Sequence, residues 1–370
     1  MDGSLRGTDA QVIYRKGLVL FLICFVHFKF FVQIILGIEF FLFDMILYII
    51  LLACVDYRRV RYSFFILLPV AFVSLINPAA RNMFVIFLLT YLVGKLPLRT
   101  TISYNLIAQG LIFFFSTICL LLGITESVMF EQTAIDTRIR YDYGMGNPNT
   151  FALFIYSALL NLYLYIGIRK RSVMWIILAI ALATAKYTGS RTFLVAMLFL
   201  LICNMLRGFF ATRPRLSRFL LAIMPVVLIS AIFYFSLHYQ EYPAVNILFT
   251  GRLELYNSLI TSVPPSQMLF GSPLINEKTI DNSFLHVVYE GGIIPFAVFL
   301  FLYYNAAFRS KGSEMAVLIP VFVSVFMVGL TESILTFVLI FGNMIVWIMM
   351  YKIYMGEKIS DMLNMPSDEE

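Results

Sequence analysis

Charge is scarce in this sequence: Asp, Glu, Lys and Arg together make up 13% of the 370 residues, against 61% hydrophobic residues. With a mean hydropathy of +0.89, that balance excludes a water-soluble domain, whose core could not hide so much apolar surface. Histidine is rarer still, at three residues, and the four cysteines, Cys24, Cys54, Cys119 and Cys203, all fall inside apolar stretches. A thiol there behaves as a small hydrophobe. Neither a disulfide framework nor a metal site is indicated, and no cofactor is expected. Also missing is any basic stripe with interleaved polar positions. The net charge of +6 comes from short clusters between apolar runs, which argues against a nucleic-acid partner. No short apolar stretch followed by a small-residue cleavage site opens the chain, so the first apolar run is expected to stay as a membrane anchor.

What is abundant is apolar runs of about 16 to 24 residues, which at 1.5 Å per residue match a hydrocarbon layer of about 30 Å. They predict an all-α polytopic membrane protein, a single membrane domain over residues 1–370, with twelve spans. These are expected near 15–33, 36–55, 63–77, 82–94, 103–123, 149–168, 172–187, 191–206, 218–237, 281–307, 314–331 and 333–352. With the N-terminus inside, the inner connections carry clusters such as Arg58, Arg59 and Arg61, Arg169 to Arg171, and Arg207, Arg213 and Arg215. The outer connections hold only Arg81, Arg138, Arg140, Lys186, Arg191, Arg252 and Lys278. The asymmetry follows the positive-inside rule and places both termini in the cytoplasm.

Two outer loops, 125–148 and 238–280, are long in an otherwise economical chain, a feature usually tied to function. Within the second, Leu253, Tyr256, Leu259 and Ile260 are spaced for one face of a short helix near 250–262. His27, Lys29, Glu39 and Asp44 are expected to pair between the first two spans.

The outer arginines run against the orientation signal and so need a reason. Arg191 opens a helix after Thr188-Gly189-Ser190, where snorkelling alone would also place it. Arg138 and Arg140 precede Gly146-Asn147-Pro148-Asn149, a run that equally satisfies ordinary helix capping. Arg252 follows Gly251, with Glu254 as a simple ion-pair partner. Arginine forks and helix N-termini both favour phosphate, so this set points to a phosphate- or pyrophosphate-bearing lipid. In Asp281-Asn282-Ser283, Asp281 can cap a helix or accept a proton from a sugar hydroxyl. His286 and Glu290 lie one turn apart, Gly291, Gly292 and Pro295 suit close packing or a bend, and Glu332 is the remaining acid on this side.

Gly146-Asn147-Pro148-Asn149, Gly189-Ser190-Arg191-Thr192, Gly251-Arg252 and Asp281-Asn282-Ser283 followed by Gly291-Gly292-Ile293, in this order over about residues 130–300, resemble the bacterial O-antigen ligase and Wzy-type polysaccharide polymerase superfamily. The resemblance implies a bacterial inner-membrane glycosyltransferase acting at the outer face on undecaprenyl-pyrophosphate-linked oligosaccharides. A flippase and a chain-length regulator would be further partners. Ligases of this kind often carry His where this chain has Asp281, which favours the polymerase reading.

The expected chemistry is a metal-independent, inverting displacement at the anomeric carbon. Arg140, Arg191 and Arg252 would bind the pyrophosphate, and Asp281 with His286 would act on the acceptor hydroxyl. Arg138, Asn147, Asn149, Asn282 and Glu332 would position substrate, while Tyr141, Tyr143, Tyr239, Tyr242 and Tyr256 would stack on sugars. A ligase with another acceptor and a lipid-linked oligosaccharide flippase are the competing expectations, although no two-half repeat is visible.

Overall fold

A computed structural model of the protein describes residues 3–38, 41–55, 67–77, 80–131, 139–272, 281–336, 342–359 and 363. Within them the chain is almost wholly helical. The helices are α1 (Gly3–Phe30), α2 (Phe41–Ala53), α3 (Leu67–Ile76), α4 (Arg81–Val93), α5 (Leu98–Leu121), α6 (Pro148–Leu162), α7 (Arg171–Thr188), α8 (Arg191–Met205) and α9 (Arg207–Thr212). They continue as α10 (Pro214–Leu237), α11 (Pro243–Leu248), α12 (Arg252–Ser262), α13 (Pro265–Met268), α14 (Ser283–His286), α15 (Ile293–Arg309), α16 (Gly312–Gly329) and α17 (Gly342–Tyr354). Between α5 and α6 a two-stranded antiparallel ribbon pairs β1 (Met129–Glu131) with β2 (Ile139–Tyr141), Phe130 opposite Arg140. The first long loop is therefore not irregular throughout.

Among the described residues six helices are long and apolar enough to cross a membrane: Lys16–Ile35, Leu98–Leu121, Pro148–Gly167, Arg171–Thr188, Pro214–Leu237 and Gly312–Gly329. Of the shorter apolar helices, α8 and α15 pack with them, and α4 packs on α2, α3 and α17. The chain is a multi-helical membrane protein. α16 is central, with 78% of its apolar window buried, and packs on α8, α9 and α10. α10, at 22%, turns Phe219, Val226 and Val227 outward, as a lipid-facing helix does.

Polar side chains tie the helices together internally, as is required where no water can reach. Tyr156 and Ser324 hydroxyls lie 2.8 Å apart, and Ser324 donates to the Ala196 carbonyl at 2.9 Å, joining α6, α16 and α8. Gln109 donates to Ser157 at 2.6 Å, and Asn161 donates to Gln109 at 3.2 Å. His27 meets Asn105 of α5 at 2.6 Å. Its expected pairing with Glu39 and Asp44 involves side chains that lie outside what is described. Pro225 inside α10 has no N–H to give the Leu221 carbonyl four residues back. The Tyr303 hydroxyl of α15 supplies that bond at 2.6 Å.

The span expected at 281–307 is not one continuous helix. α14 passes into a π-helical turn, Val287–Gly291, and the chain breaks at Gly292 before α15 begins. Gly292 has φ +89°, and a Cβ there would stand 2.7 Å from the Gly271 nitrogen and the Leu269 carbonyl oxygen. The end of the second long loop is docked into the break: Ser272 N–H donates to the Tyr289 carbonyl at 2.7 Å, and Asn77 donates to the carbonyls of Phe270 and Glu290, each at 2.9 Å. Likewise the stretch expected to begin the last span starts as a turn, with Thr336 N–H bonded to the Ser333 carbonyl at 3.1 Å.

The two ends of the bundle differ in charge. At one end Arg207 donates to the Ile168 carbonyl at 2.5 Å, Arg218 to Ser310 at 3.0 Å, and Arg309 to Tyr354 at 2.9 Å. Arg169 similarly holds the Leu363 carbonyl. At the opposite end lie the C-termini of α7 and α16 and the starts of α6, α8, α12 and α14.

Candidate functional site

At this second end Arg252, the first residue of α12, is the hub. Gly251 at φ +79° turns the chain into the helix, a left-handed conformation that suits glycine. Leu253, Tyr256 and Leu259 are buried on one helical face, so Arg252 is set on a packed element. Its Nη2 lies 3.1 Å from Asp281 Oδ2 and 3.2 Å from Glu332 Oε1, and Nη1 donates to the Thr331 carbonyl. One guanidinium thus spans two carboxylates from two other segments. The simple partner Glu254 is not among its ion pairs. Asp281 is the accessible acid, with its side chain 38% exposed, against 10% for Glu332.

Burial pushes the Glu332 carboxyl up to about 7, opposed in part by Arg252 and more weakly by Arg140. Burial also opposes the charge on Arg252, but Glu332 and then Asp281 outweigh it and hold the guanidinium above its ordinary value. Burial likewise raises the Tyr256 phenol.

Asn282, not Asp281, caps α14. Its Oδ1 accepts from the N–H groups of Phe284 and Leu285 at 3.0 Å each, and its Nδ2 donates to the Leu330 carbonyl at 2.8 Å. Ser283 donates to the Glu332 carbonyl at 2.7 Å and accepts from Leu335 N–H at 3.1 Å. These two buried residues lock the 330–335 turn and so aim Glu332 at Arg252. Asn282 is fully engaged in backbone bonds, which makes it a positioning residue. Tyr256 is fully buried, and its hydroxyl donates to the Asp281 carbonyl at 3.1 Å. The stacking role expected for it is ruled out by burial.

Arg140 forms a second brace. Its Nε donates to the Thr188 carbonyl at 2.8 Å and its Nη2 donates to Asn149 Oδ1, joining β2, the end of α7 and the start of α6. Gly189, at φ +62°, permits the approach, since a Cβ there would lie 3.0 Å from Arg140 Cγ. Asn147 caps α6, its Oδ1 accepting from Asn149 N–H at 2.8 Å. Tyr143 stacks between Phe113 and Phe151, and Tyr141 on Tyr187. Tyr242 is half-buried, its hydroxyl 3.0 Å from that of Tyr234, and Tyr239 is half-buried against the core.

Arg191 is exposed at the first position of α8. Its neighbour Thr192 reaches the Thr331 hydroxyl at 2.6 Å, which links α8 to the turn bearing Glu332. Arg138 lies outside the described residues. His286 pairs with Glu290 one turn on, whose Oε1 also accepts from Asn82 at 3.4 Å. Among the described residues no contact joins His286 to Arg252, Asp281 or Glu332, and no His, Cys, Asp and Glu side chains gather as a metal-ligand set.

Thr331, Asn77 and Asn82 were not singled out from the sequence, and Ser283 only as part of the Asp281-Asn282-Ser283 run. Each acts through backbone carbonyls or a distant partner, so only the adjacency of Thr331 to Glu332 and of Ser283 to Asp281-Asn282 offered a signal. Comparison with protein-family models, with curated proteins and with solved structures gives no match for this chain.

Proposed function

We propose that this chain is a membrane glycosyltransferase that joins undecaprenyl-pyrophosphate-linked oligosaccharide units, a polysaccharide polymerase of a bacterial cytoplasmic membrane. In this reading twelve spans place both termini and the basic face in the cytoplasm, and the Arg252 end of the bundle faces outward. The observation that carries it is Arg252 held 3.1 Å from Asp281 and 3.2 Å from Glu332 where the ends of several helices meet.

The acceptor hydroxyl oxygen bonds to the anomeric carbon, the bond from that carbon to the pyrophosphate oxygen breaks, and the hydroxyl proton passes to Asp281. Asp281 takes this role because it is the more exposed of the two acids on Arg252. His286, engaged with Glu290, is left with a supporting role in the broken helix. Arg252, with Arg140 and the exposed Arg191 nearby, meets the charge that develops on the pyrophosphate, an interaction that gains strength where water is scarce. Protonation of Glu332 near neutral pH removes one of the two negative charges competing for Arg252, which opens that guanidinium to a phosphate oxygen.

Reconstitution with defined lipid-linked repeat units tests this. Arg252→Gln is expected to abolish the polymer ladder while Arg252→Lys, in protein of unchanged elution, retains part of it; a full ladder from Arg252→Gln overturns the assignment. The broken helix at Gly292 favours a second reading, a flippase for the same lipids, since discontinuous helices line translocation paths. Movement of labelled lipid without new glycosidic bonds would select it, and a single transfer to a foreign acceptor would select a ligase.

A further inference from the structure

The basic end of the bundle carries a second feature, unrelated to Arg252. Between the start of α7 and the end of α8 runs a cleft of about 330 Å³ whose walls include Arg171, Met174, Trp175, Leu201, Asn204 and Met205. The residues come from facing stripes: Arg171, Met174 and Trp175 at helical spacing on α7, and Leu201, Asn204 and Met205 on α8. Arg171 and Asn204 are the polar members; Leu201 is about one turn further into the bundle. The cleft is therefore polar at its mouth and apolar in depth. Trp175 is 73% exposed and Met205 83% exposed, a cost in water but the usual place of such side chains at a membrane interface.

The charge around the mouth is one-sided. No Asp or Glu occurs between Asp142 and Glu241, while Arg169, Lys170, Arg171 and Arg207 all gather at this end of α7 and α8. Among the described side chains, acids on this face are engaged: Glu314 accepts from the N–H groups of Lys311 and Ile359, and Glu357 pairs with Lys352 at 2.7 Å. Tyr163 donates to Asn204 Oδ1 at 3.2 Å, which uses the amide's acceptor and leaves its N–H donors to face an anion.

We propose that this cleft is a binding site for one anionic glycerophospholipid, its phosphate held by Arg171 and Asn204 and one acyl chain laid along Trp175, Met205 and Leu201. An arginine at a membrane surface attracts an anionic headgroup by about 1 kcal/mol, close to fivefold in affinity. The apolar depth selects a lipid over a soluble phosphate.

Native mass spectrometry of the delipidated full-length protein, titrated separately with phosphatidylglycerol and phosphatidylcholine of equal chain length, tests the site. One phosphatidylglycerol adduct should form at several-fold lower concentration than the phosphatidylcholine adduct. Arg171→Gln should lower that preference about fivefold, and Met205→Trp, which fills the cleft from an exposed position, should weaken both adducts. Glycerol 3-phosphate at the same concentration should leave the adduct in place. Equal adducts for the two lipids, displacement by glycerol 3-phosphate, or an unchanged preference in Arg171→Gln would each overturn the proposal; the first two use only the unaltered protein and so stand even if a variant fails to fold.

Discussion

Replacing Glu332 by Gln should make the protein more stable in alkali and leave it unchanged in acid. Glu332 is 8% exposed, and burial lifts its carboxyl from 4.5 to about 7 even with Arg252 at 3.2 Å. The folded state therefore holds this proton over a pH range in which the unfolded chain has released it. Between those values stability falls as pH rises. The contribution is fully present below pH 4.5, is lost as pH climbs through 7, and amounts to on the order of 3 kcal/mol. The substituted amide keeps the shape of the neutral carboxyl and cannot ionise. Melting curves of the two proteins in the same detergent should coincide below about pH 4.5, separate progressively between about pH 4.5 and 7, and stay apart above that, with the variant higher by a few degrees at about pH 8. Parallel curves across that range, or a wild-type protein that is the more stable in alkali, would show that Arg252 outweighs burial and refute the reasoning.

Gly292→Ala should cost more than about 3 kcal/mol, because φ +89° is a glycine conformation and the added methyl meets backbone atoms of Gly271 and Leu269 that cannot rotate away; loss of the monodisperse peak in size-exclusion chromatography is the expected result. Tyr303→Phe should cost about 1–3 kcal/mol, since the Leu221 carbonyl opposite Pro225 is left without a donor in a buried setting. A melting temperature equal to wild type would mean that this carbonyl finds another partner.

The contrast between Gly292 and the spanning helices marks where sequence reading stops. Whether a run such as Leu98–Leu121 is long and apolar enough to cross a bilayer depends on local properties, length and apolarity, and can be read directly. The same holds for α12, where Leu253, Tyr256 and Leu259 recur at helical spacing and are buried together. The break in the 281–307 stretch is different, because it depends on residues 269–272 packing against Gly292 and Tyr289 from another part of the chain. Gly291-Gly292 signalled a bend, but not that a loop would fill it. Capping was half legible: Asn147 caps α6 as its position suggests, whereas at the next site the cap passed from Asp281 to Asn282, one residue along, which frees the aspartate for Arg252.

The arginines show the same division in sharper form. Counting cations between apolar runs separates two sets, and the structure gives the sets different work. Arg207 and Arg309, joined by Arg218 from the start of a spanning run, end on backbone carbonyls at the basic face, where they complete helix C-termini and oppose their negative dipole ends. At the other face Arg140 and Arg252 each take one backbone carbonyl and at least one side-chain acceptor, Asn149 in one case and Asp281 with Glu332 in the other. The carbonyl fixes where the guanidinium sits. The side-chain acceptors are the bonds that a ligand oxygen can replace without unravelling a helix, and for Arg252 they come from segments far along the chain, Glu332 being 80 residues away. No spacing rule reaches that far, so the partners of Arg252 had to come from the fold, and they bring with them an acid, Glu332, whose charge changes near neutral pH. If Arg252 does meet a pyrophosphate, its competitor is then a carboxylate partly neutralised at working pH, and apparent affinity for the lipid-linked donor should weaken as pH rises through about 7 in the wild type and stay level in Glu332→Gln.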